Sequence, residues 1–331
     1  MKHFCVAPWF HQNIVPGFWQ QPDQFCCWVT TPKGEYVLRK TVQDKMLNDE
    51  QPSECKKCWD AEDSGQRSRR QQENTLLDHL LDLDIKNIEQ LVHDGKDEIL
   101  AHQIRLNNTC NGTCVMCDSS ASSAWSKLDR KAGLKSYPMY DHTPEFVDSM
   151  INYSTVKVLE LVGGEPLLSD TAFWIFEQLI EHNNTDCAIS IVTNGSIKIS
   201  EKYKQIISKF SNLNITVSID AIGKIFEYQR YPLKWDVVSS NVTEYKKLFN
   251  DVNVSCTVTN MTVDALPETI QWFKEQGMNY FLNNVVHPTC MAPDVQPGHK
   301  LWPTFVSEIK RQDLLKNISI KDYLPEFWSK F

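Results

Sequence analysis

The run from Cys110 to Cys117 constrains this chain most, because three thiols fall within eight residues in the spacing C-x3-C-x2-C. Cysteines this close together, following the strand-like segment 103–107, can converge on one soft metal centre, and thiolates select zinc or iron–sulfur clusters. A structural zinc site or an ordinary four-iron cluster takes four protein ligands. Three cysteines, Cys110, Cys114 and Cys117, therefore leave one position for an exchangeable ligand. Spacing alone leaves two alternatives open, half of a zinc site or a set of buried thiols.

A second motif follows the next strand-like run. Segment 158–162 is apolar apart from one glutamate and leads directly into Gly163, Gly164 and Glu165. Two glycines at the end of a strand allow a ligand to approach the backbone closely. The Glu165 carboxylate is a hydrogen-bond acceptor suited to an ammonium group.

The two motifs together resemble those of the radical S-adenosylmethionine (radical SAM) enzymes. Their signature is the same C-x3-C-x2-C with an apolar or aromatic residue before the last cysteine, here Met116. The resemblance implies a [4Fe-4S] cluster held by the three cysteines, with the fourth iron chelated by the amino and carboxylate groups of SAM. It also implies that the following residues bind SAM: Met116, Gly163, Gly164 and Glu165.

From about residue 100 the chain alternates strand-like and helix-like segments, which predicts an α/β fold with a parallel sheet. The predicted strands are 102–107, 157–162, 188–193, 214–219, 252–259 and 279–286. The predicted helices are 120–130, 144–153, 170–182, 200–210, 236–250 and 266–276. Six such units are too few to close an eight-stranded barrel, and they match the partial (β/α)6 TIM-like barrel that the resemblance implies.

The ends of later strands supply further candidates for cofactor binding, because chemistry in such barrels lies at the carboxyl ends of the strands. Thr193 lies in a Thr-Asn-Gly segment, and Ser218 and Asp220 lie in a Ser-Ile-Asp segment. Both segments resemble those that follow the third and fourth strands of the family, and imply contacts to the ribose and methionine parts of SAM. Arg230 is a candidate partner for the SAM carboxylate.

The first 75 residues are rich in Trp, Pro and Cys, and a segment of this kind needs a metal to stabilise it. Cys5, Cys26 or Cys27, Cys55 and Cys58 supply four ligands, and zinc is one interpretation of the C-x2-C pair. The pattern also resembles the SPASM/twitch auxiliary-cluster domains of radical SAM enzymes, which implies a second, auxiliary [4Fe-4S] cluster. In that family the first cysteine of the pair is the ligand, which favours Cys26.

The predicted organisation is an auxiliary-cluster domain 1–75, a helical linker 76–99, a barrel 100–290 and a capping segment 291–331. Cys290 and His287 follow the last predicted strand and are candidates to contact substrate or to donate a hydrogen atom, whereas Cys187 and Cys256 are expected in the core.

The overall composition disfavours some classes of function. The formal net charge is −8 and the pI is about 5.6, which disfavours nucleic acid as a partner, since phosphate contacts need a basic surface. No run is long enough for a membrane helix and no secretory leader is evident, so a cytoplasmic enzyme is expected. Eleven cysteines in a reduced compartment indicate metal sites and not disulfides.

The function expected from the resemblance is cleavage of SAM to a 5′-deoxyadenosyl radical, which takes a hydrogen atom from a substrate. The substrate would be a peptide or protein side chain, or alternatively a small polar metabolite such as an aminocyclitol. The reaction needs a reductant such as flavodoxin or ferredoxin. A zinc-stapled binding protein is the competing class.

Overall fold

The computed structural model of the protein describes residues 2–16, 24–29, 37–81, 85–95, 98–285 and 287–329. Parts of the predicted linker and of the last predicted strand, residues 82–84, 96–97 and 286, lie outside the described residues. One parallel sheet dominates the fold. Its strands are β1 (His11–Ile14), β2 (Ala101–Arg105), β3 (Val158–Val162), β4 (Ala188–Thr193), β5 (Leu213–Ser218), β6 (Asp251–Val258) and β7 (Asn279–Asn284).

Helices connect these strands, as a parallel sheet requires. Fifteen α-helices lie within the described residues. They are α1 (Ala7–Phe10), α2 (Arg39–Leu47), α3 (Lys56–Asp63), α4 (Arg69–Leu81), α5 (Ile85–His93), α6 (Ser123–Lys131), α7 (Pro144–Asp148), α8 (Asp170–Glu181), α9 (Glu201–Ile207), α10 (Gly223–Gln229), α11 (Trp235–Tyr245), α12 (Leu266–Glu275), α13 (Trp302–Lys316), α14 (Ile320–Tyr323) and α15 (Pro325–Trp328).

The strand order in the sheet is the order in the chain, β1 to β7, and every neighbouring pair is parallel. A sequential order without reversal is that of a (β/α) barrel and not of a doubly wound sheet. In the described residues β1 and β7 do not pair with each other, so the barrel is open. The prediction of an α/β fold with a parallel, partial barrel is confirmed.

The sheet has one strand more than the six predicted. β1 comes from the cysteine-rich first segment and pairs with β2, with His11 opposite Ala101 and Ile14 opposite Ile104. Four residues with only one clearly apolar side chain give a weak strand signal in the sequence. Pairing with β2 therefore decides their conformation, and the first segment contributes an edge strand to the barrel.

The two faces of the sheet differ in polarity. Along β5, Leu213, Ile215 and Val217 are buried against the helices, whereas Asn214 and Thr216 are only half-buried on the other face. Most parallel sheets are covered on both faces and have nearly continuous apolar strands. The alternation in β4, β5 and β6 therefore indicates an interior face that lines a polar space.

Side-chain caps explain where several helices begin. The hydroxyls of Ser122, Thr143 and Ser200 accept hydrogen bonds from backbone N–H groups three residues later, at 3.2 to 3.3 Å. Such caps satisfy otherwise unpaired donors in the first turn. Helix α6 therefore begins at Ser123, slightly later than predicted, and α7 is shorter than the predicted 144–153 helix.

The last forty residues pack against the barrel. Phe305, Ile309 and Ile320 form an apolar cluster with Val115 of the cysteine loop and with Tyr228. The segment that was predicted to cap the barrel thus supports the loop that carries the cysteine motif. None of the helices in the described residues has the length and apolar character needed to cross a membrane.

Candidate functional site

The interior face of the sheet lines a cavity of about 850 Å³, which extends to the carboxyl ends of the strands. Residues of the cysteine loop, of the Gly-Gly motif and of the first segment all border it. The border includes Cys110, Cys114, Met116, Cys117, Gly163, Gly164, Thr193, Asn194, Ser218 and Arg230 at the carboxyl ends, and Trp28, Arg69 and Gln72 from the first segment. The cysteine loop and the two glycines of the second motif therefore border the same cavity.

The three thiols of the motif converge at this cavity. The Sγ atoms of Cys114 and Cys110 lie 3.5 and 3.8 Å from one point, the position that a Cβ on Gly112 would occupy. Burial raises the pKa of Cys110 to about 11, with a further contribution from the charge of Cys114. Burial raises the pKa of Cys117 as well, and the charges of Cys114 and Cys110 add to that shift. Three thiolates are therefore unfavourable here unless a cationic centre compensates their charge.

Hydrogen bonds with two other parts of the chain hold the cysteine loop. The backbone N–H of Thr113 donates to the carbonyl of Tyr231 at 2.6 Å, and Val115 donates to Gln229 at 2.8 Å. The Trp125 indole of α6 donates to the carbonyl of Cys114 at 3.0 Å. A loop fixed in this way presents its sulfurs in one geometry, as metal ligation requires.

The C-terminal helix α13 also contacts this loop. The Gln312 side chain donates to the carbonyl of Val115 at 2.9 Å, and Lys316 donates to Gln312 at 2.9 Å. Burial lowers the pKa of Lys316 to about 7, and the nearby Cys114 opposes that shift. The Lys316 ammonium lies 4.8 Å from the centre of the Trp125 ring. The Lys316 ammonium is thus a buried cation close to the cysteine motif.

Arg230 and Asp220 form a buried ion pair beside the same motif. Nε of Arg230 lies 2.8 Å from Oδ2 of Asp220, and Nη2 donates to Oδ1 at 2.8 Å. The Nε contact lacks hydrogen-bond geometry, so the pair is joined by one hydrogen bond and one close charge contact. The remaining nitrogen, Nη1, lies 4.0 Å from Sγ of Cys114. Burial would lower the pKa of Arg230, but Asp220 and Cys114 raise it above its usual value.

The Gly-Gly motif packs against the chain that leads into the cysteine loop. Gly163 has a φ of +133°, and a Cβ there would lie 2.6 Å from the carbonyl oxygen of Asn107. A Cβ on Gly164 would overlap the carbonyl of Thr109. The backbone N–H of Gly164 donates to Asn107, and that of Glu165 to Thr109, both at 2.8 Å. Both glycines therefore have a structural reason in addition to any contact with a ligand.

Glu165 is fully buried and is absent from the cavity border. Its carboxylate accepts hydrogen bonds from the Thr193 hydroxyl at 2.7 Å, the Asn194 N–H at 2.7 Å and the Leu167 N–H at 3.2 Å. Burial raises its pKa to about 7, although these donors oppose the shift. Glu165 thus joins the ends of β3 and β4, and its role as an ammonium acceptor stays a prediction.

The structure brings most of the predicted cofactor-binding residues to the cavity, but not all of them. Met116, Thr193, Ser218 and Arg230 border it, whereas Asp220 is fully buried and accepts hydrogen bonds from Arg230 and from the Thr257 N–H at 2.9 Å. The contacts with SAM that the family resemblance implies for these residues stay predictions.

The two candidates after the last strand are placed elsewhere. Cys290 is buried in the apolar cluster of the C-terminal segment, and His287 is exposed to solvent. Neither is in the cavity border. Cys187 and Cys256 lie in the main core, as expected from their apolar strands.

The cysteines of the first segment surround a second, small cavity. Cys5, Cys26, Cys55 and Cys58 all border it, together with Arg69 and Arg70. Cys27, the other member of the pair, is exposed and is not in that border. Burial raises the pKa of Cys55 to about 12 and also raises the pKa of Cys5. Four thiols with two adjacent guanidinium groups form a donor set suited to a thiolate-ligated centre.

Neither set of cysteines is arranged around a single metal ion. In the described part of the chain, no group of three or more His, Cys, Asp or Glu side chains could hold one. Thiolates on one zinc lie about 4 Å apart, given a Zn–S bond of about 2.3 Å. A four-iron cluster binds each thiolate through a different iron and so accepts wider separations. A zinc ion and a four-iron cluster both stay predictions from the sequence at these two positions.

Several residues at the site were not predicted from the sequence. Asn194 donates from Nδ2 to Asn111 at 2.8 Å and lies 3.8 Å from Sγ of Cys110. Gln312 reaches the motif from almost two hundred residues away, and Lys316 donates to Gln312. The alternation of Asn, Ser and Thr with apolar residues in 213–218 and 251–258 was a visible signal for the polar interior face. Nothing in the sequence of α13 indicated that this helix contacts the cysteine loop.

Comparison with known proteins gives matches only at the level of solved structures. No model of a protein family and no curated protein sequence matches the chain. The structure of anSMEcpe with bound AdoMet has 20% identity over 66% of this chain and 62% of that chain, with a TM-score of 0.46. Streptococcus suis SuiB bound to S-adenosylmethionine has 12% identity over 69% of this chain and 52% of that chain, with a TM-score of 0.47.

A further structure of Streptococcus suis SuiB, bound to its precursor peptide SuiA, has 12% identity, covers 69% of this chain and has a TM-score of 0.46. This chain spans between half and less than two thirds of the lengths of these neighbours. Both of these proteins have S-adenosylmethionine bound in a solved structure. At these values the likeness is one of overall chain course and not of reaction or substrate.

Proposed function

We propose that this protein is a radical SAM enzyme. Cys110, Cys114 and Cys117 would hold a [4Fe-4S] cluster, and SAM would complete it. When bound and reduced, this pair supplies a 5′-deoxyadenosyl radical that takes a hydrogen atom from a substrate. The observation that carries the proposal is the convergence of three thiols from one loop at the carboxyl-end mouth of a polar cavity.

The chain's own residues have three roles in this proposal. The hydrogen bonds to Thr113, Val115 and Cys114 keep the sulfurs in place. Arg230 and Lys316 place positive charge near Cys114, which favours the ligating thiolate. The cavity would orient SAM through Ser218 and Thr193 and would limit access of water.

Iron content and SAM cleavage test this proposal. Anaerobically reconstituted protein should be brown and form 5′-deoxyadenosine with dithionite, and Cys114→Ala should abolish that product. Cys256→Ala is the matched control, because Cys256 is a buried thiol outside the motif, and it should retain the product. A colourless protein loaded with zinc would support the competing class, a zinc-stapled binding protein.

We further propose an auxiliary [4Fe-4S] cluster on Cys5, Cys26, Cys55 and Cys58. Their common position around one small cavity, with Cys27 outside its border, supports this set. Two four-iron clusters correspond to about eight irons per chain. The double variant Cys55→Ala/Cys58→Ala should lose about half of the iron, whereas Cys27→Ala should lose none. Unchanged iron in the double variant would contradict the assignment.

The proposed substrate is a peptide or protein side chain, and the polar cavity favours a small polar metabolite as the alternative. An external reductant such as flavodoxin or ferredoxin would supply the electron. Mass spectrometry of cell extract incubated with the enzyme and labelled SAM would identify the modified molecule. A product in the peptide fraction supports the first candidate, and one among small molecules supports the second.

A further inference from the structure

The wall of the cavity formed by β5, β6 and β7 differs from the rest of its lining. Its interior residues are all uncharged and, apart from Ser218 and Phe281, form what we call the polar wall: Asn214, Thr216, Asn253, Ser255, Thr257 and Asn283. In the parallel register Thr216 lies beside Asn253, and Thr257 beside Asn283. Adjacent strands are about 4.8 Å apart, so these side chains form continuous rows of donors and acceptors.

Most hydrogen-bonding groups of the polar wall are not used within the protein. Asn283 donates to Ser255 at 3.2 Å. Within the described residues, the side chains of Thr216, Asn253 and Thr257 have no hydrogen-bond partner, and Oδ1 of Asn214 is buried without one. A ligand that enters must replace the hydration of these groups with its own hydrogen bonds, or binding is weakened.

None of the charged side chains that border the cavity, which are Arg69, Arg105, Glu160 and Arg230, belongs to β5, β6 or β7. Arg69 contacts Glu73 at 2.6 Å and Glu160 at 3.6 Å. Gln103 donates to Glu160 at 2.5 Å. The recognition surface that remains on β5 to β7 therefore carries no formal charge.

The polar wall begins at the cysteine end and runs away from it. Ser218, at the carboxyl end of β5, borders the same cavity as the three cysteines. Side chains two residues apart on one face are about 6.6 Å apart, so Asn214 lies about 13 Å further down the strand. A group bound along the wall can thus have one end near the proposed SAM site and its remainder in the interior.

We infer that the polar wall binds a neutral group rich in hydroxyls or carboxamides, which is the part of the substrate that enters the barrel. This inference rests on the proposed function in taking the cavity as the substrate chamber. The same chemistry is present in a free polyol or sugar and in the Ser, Thr, Asn or Gln side chain of a peptide. A substrate whose entering group is apolar is excluded by the same reasoning.

Ligand binding to the reconstituted full chain, without reductant, tests the inference independently of turnover. Saturation-transfer NMR would compare myo-inositol and glucose with N-acetylasparagine amide and N-acetylserine amide. Cyclohexanol and N-acetylleucine amide are the apolar counterparts. We expect at least one polar pair to bind and the counterparts not to bind, and the pair that binds identifies the source as a free molecule or a peptide.

Variants of the polar wall locate the binding. Thr216→Val keeps the shape of the side chain, and Asn253→Leu is a second, separate variant. Each should weaken binding of the polar probe about tenfold. Thr243→Val is the matched control, because Thr243 lies on the exposed face of α11, and it should bind as the unmodified protein does. If Asn253→Leu fails to fold, as judged by circular dichroism, Thr216→Val decides.

The inference is overturned if no polar probe binds, if the apolar counterparts bind equally well, or if both wall variants bind as tightly as the unmodified protein. Formation of 5′-deoxyadenosine with dithionite is measured on the same samples. Product without binding of a polar probe overturns the polar wall alone. Binding without any product supports the polar wall and contradicts the proposed function.

Discussion

The ion pair between Arg230 and Asp220 offers a test of the electrostatics of the site. The two side chains are 10% and 0% exposed, and their charged atoms meet at 2.8 Å. Arg230→Met keeps much of the length of the side chain but leaves the Asp220 carboxylate buried without a cation. Removing one partner of a buried pair destabilises a protein by about 3–5 kcal/mol, since the remaining charge is uncompensated.

The expected change in melting temperature follows from the size of the chain. An unfolding entropy of about 2.1 cal/mol/K per residue, applied to 331 residues, gives about 0.7 kcal/mol per degree. Arg230→Met should therefore lower the Tm by about 4–7 °C. The measurement is thermal unfolding of iron-free protein by circular dichroism at neutral pH, so that loss of a cluster does not contribute.

Two further variants separate charge from packing. In Asp220→Asn/Arg230→Met the amide oxygen can still accept the hydrogen bond from the Thr257 N–H, now 2.9 Å from the carboxylate, and no charge is buried. This double variant should regain most of the lost stability. Arg311→Met removes a cation that is 42% exposed, and should cost at most about 1 kcal/mol. If Arg230→Met melts no earlier than Arg311→Met, the uncompensated-charge argument is refuted.

Three other predictions concern the same region. The folded-state pKa of Glu165 is raised from 4.5 to about 7. The stability of the unmodified protein relative to Glu165→Gln should therefore be greatest below pH 4.5 and should decline by about 3 kcal/mol as the pH rises through 7. A difference in urea midpoints that does not change with pH would contradict this. Gly164→Ala should destabilise by about 1–3 kcal/mol or more, because its Cβ meets the Thr109 carbonyl, and a Tm equal to that of the unmodified protein would exclude this close approach. Lys316→Met removes a buried ammonium whose pKa falls from 10.5 to about 7 on folding. This substitution should raise the Tm at pH 7, and the gain in Tm should shrink toward pH 10 because the unfolded-state lysine is then less protonated.

The spacing of the motifs predicted which loop and which strand end come together, and both border the cavity. Cys110, Cys114 and Cys117 are close in the sequence, and a short loop keeps their sulfurs close in any fold. The Gly-Gly motif was predicted at a strand end, where it lies. The sequence did not reveal its packing against the backbone of Asn107 and Thr109, because that contact joins two strands that are some fifty residues apart.

Roles assigned to single side chains were harder to predict. Glu165, Asp220 and Arg230 were predicted as ligands of SAM, and the structure gives each a partner within the protein. A carboxylate or guanidinium at a strand end has the same appearance in the sequence whether it faces a ligand or another side chain. The distinction depends on burial and on the residues that the neighbouring strands present.

The sequence alone determined the class of fold, the thiol triplet and the cysteine pairs of the first segment, because these depend on local spacing and on the strand–helix alternation. Only the tertiary structure decided which cation lies under the cysteine loop, which strand forms the edge of the barrel and which face of β5 to β7 lines the cavity. Those features are contacts between distant parts of the chain, such as the hydrogen bond from Gln312 to Val115 across 197 residues. Packing and burial select such partners, and no local pattern specifies them.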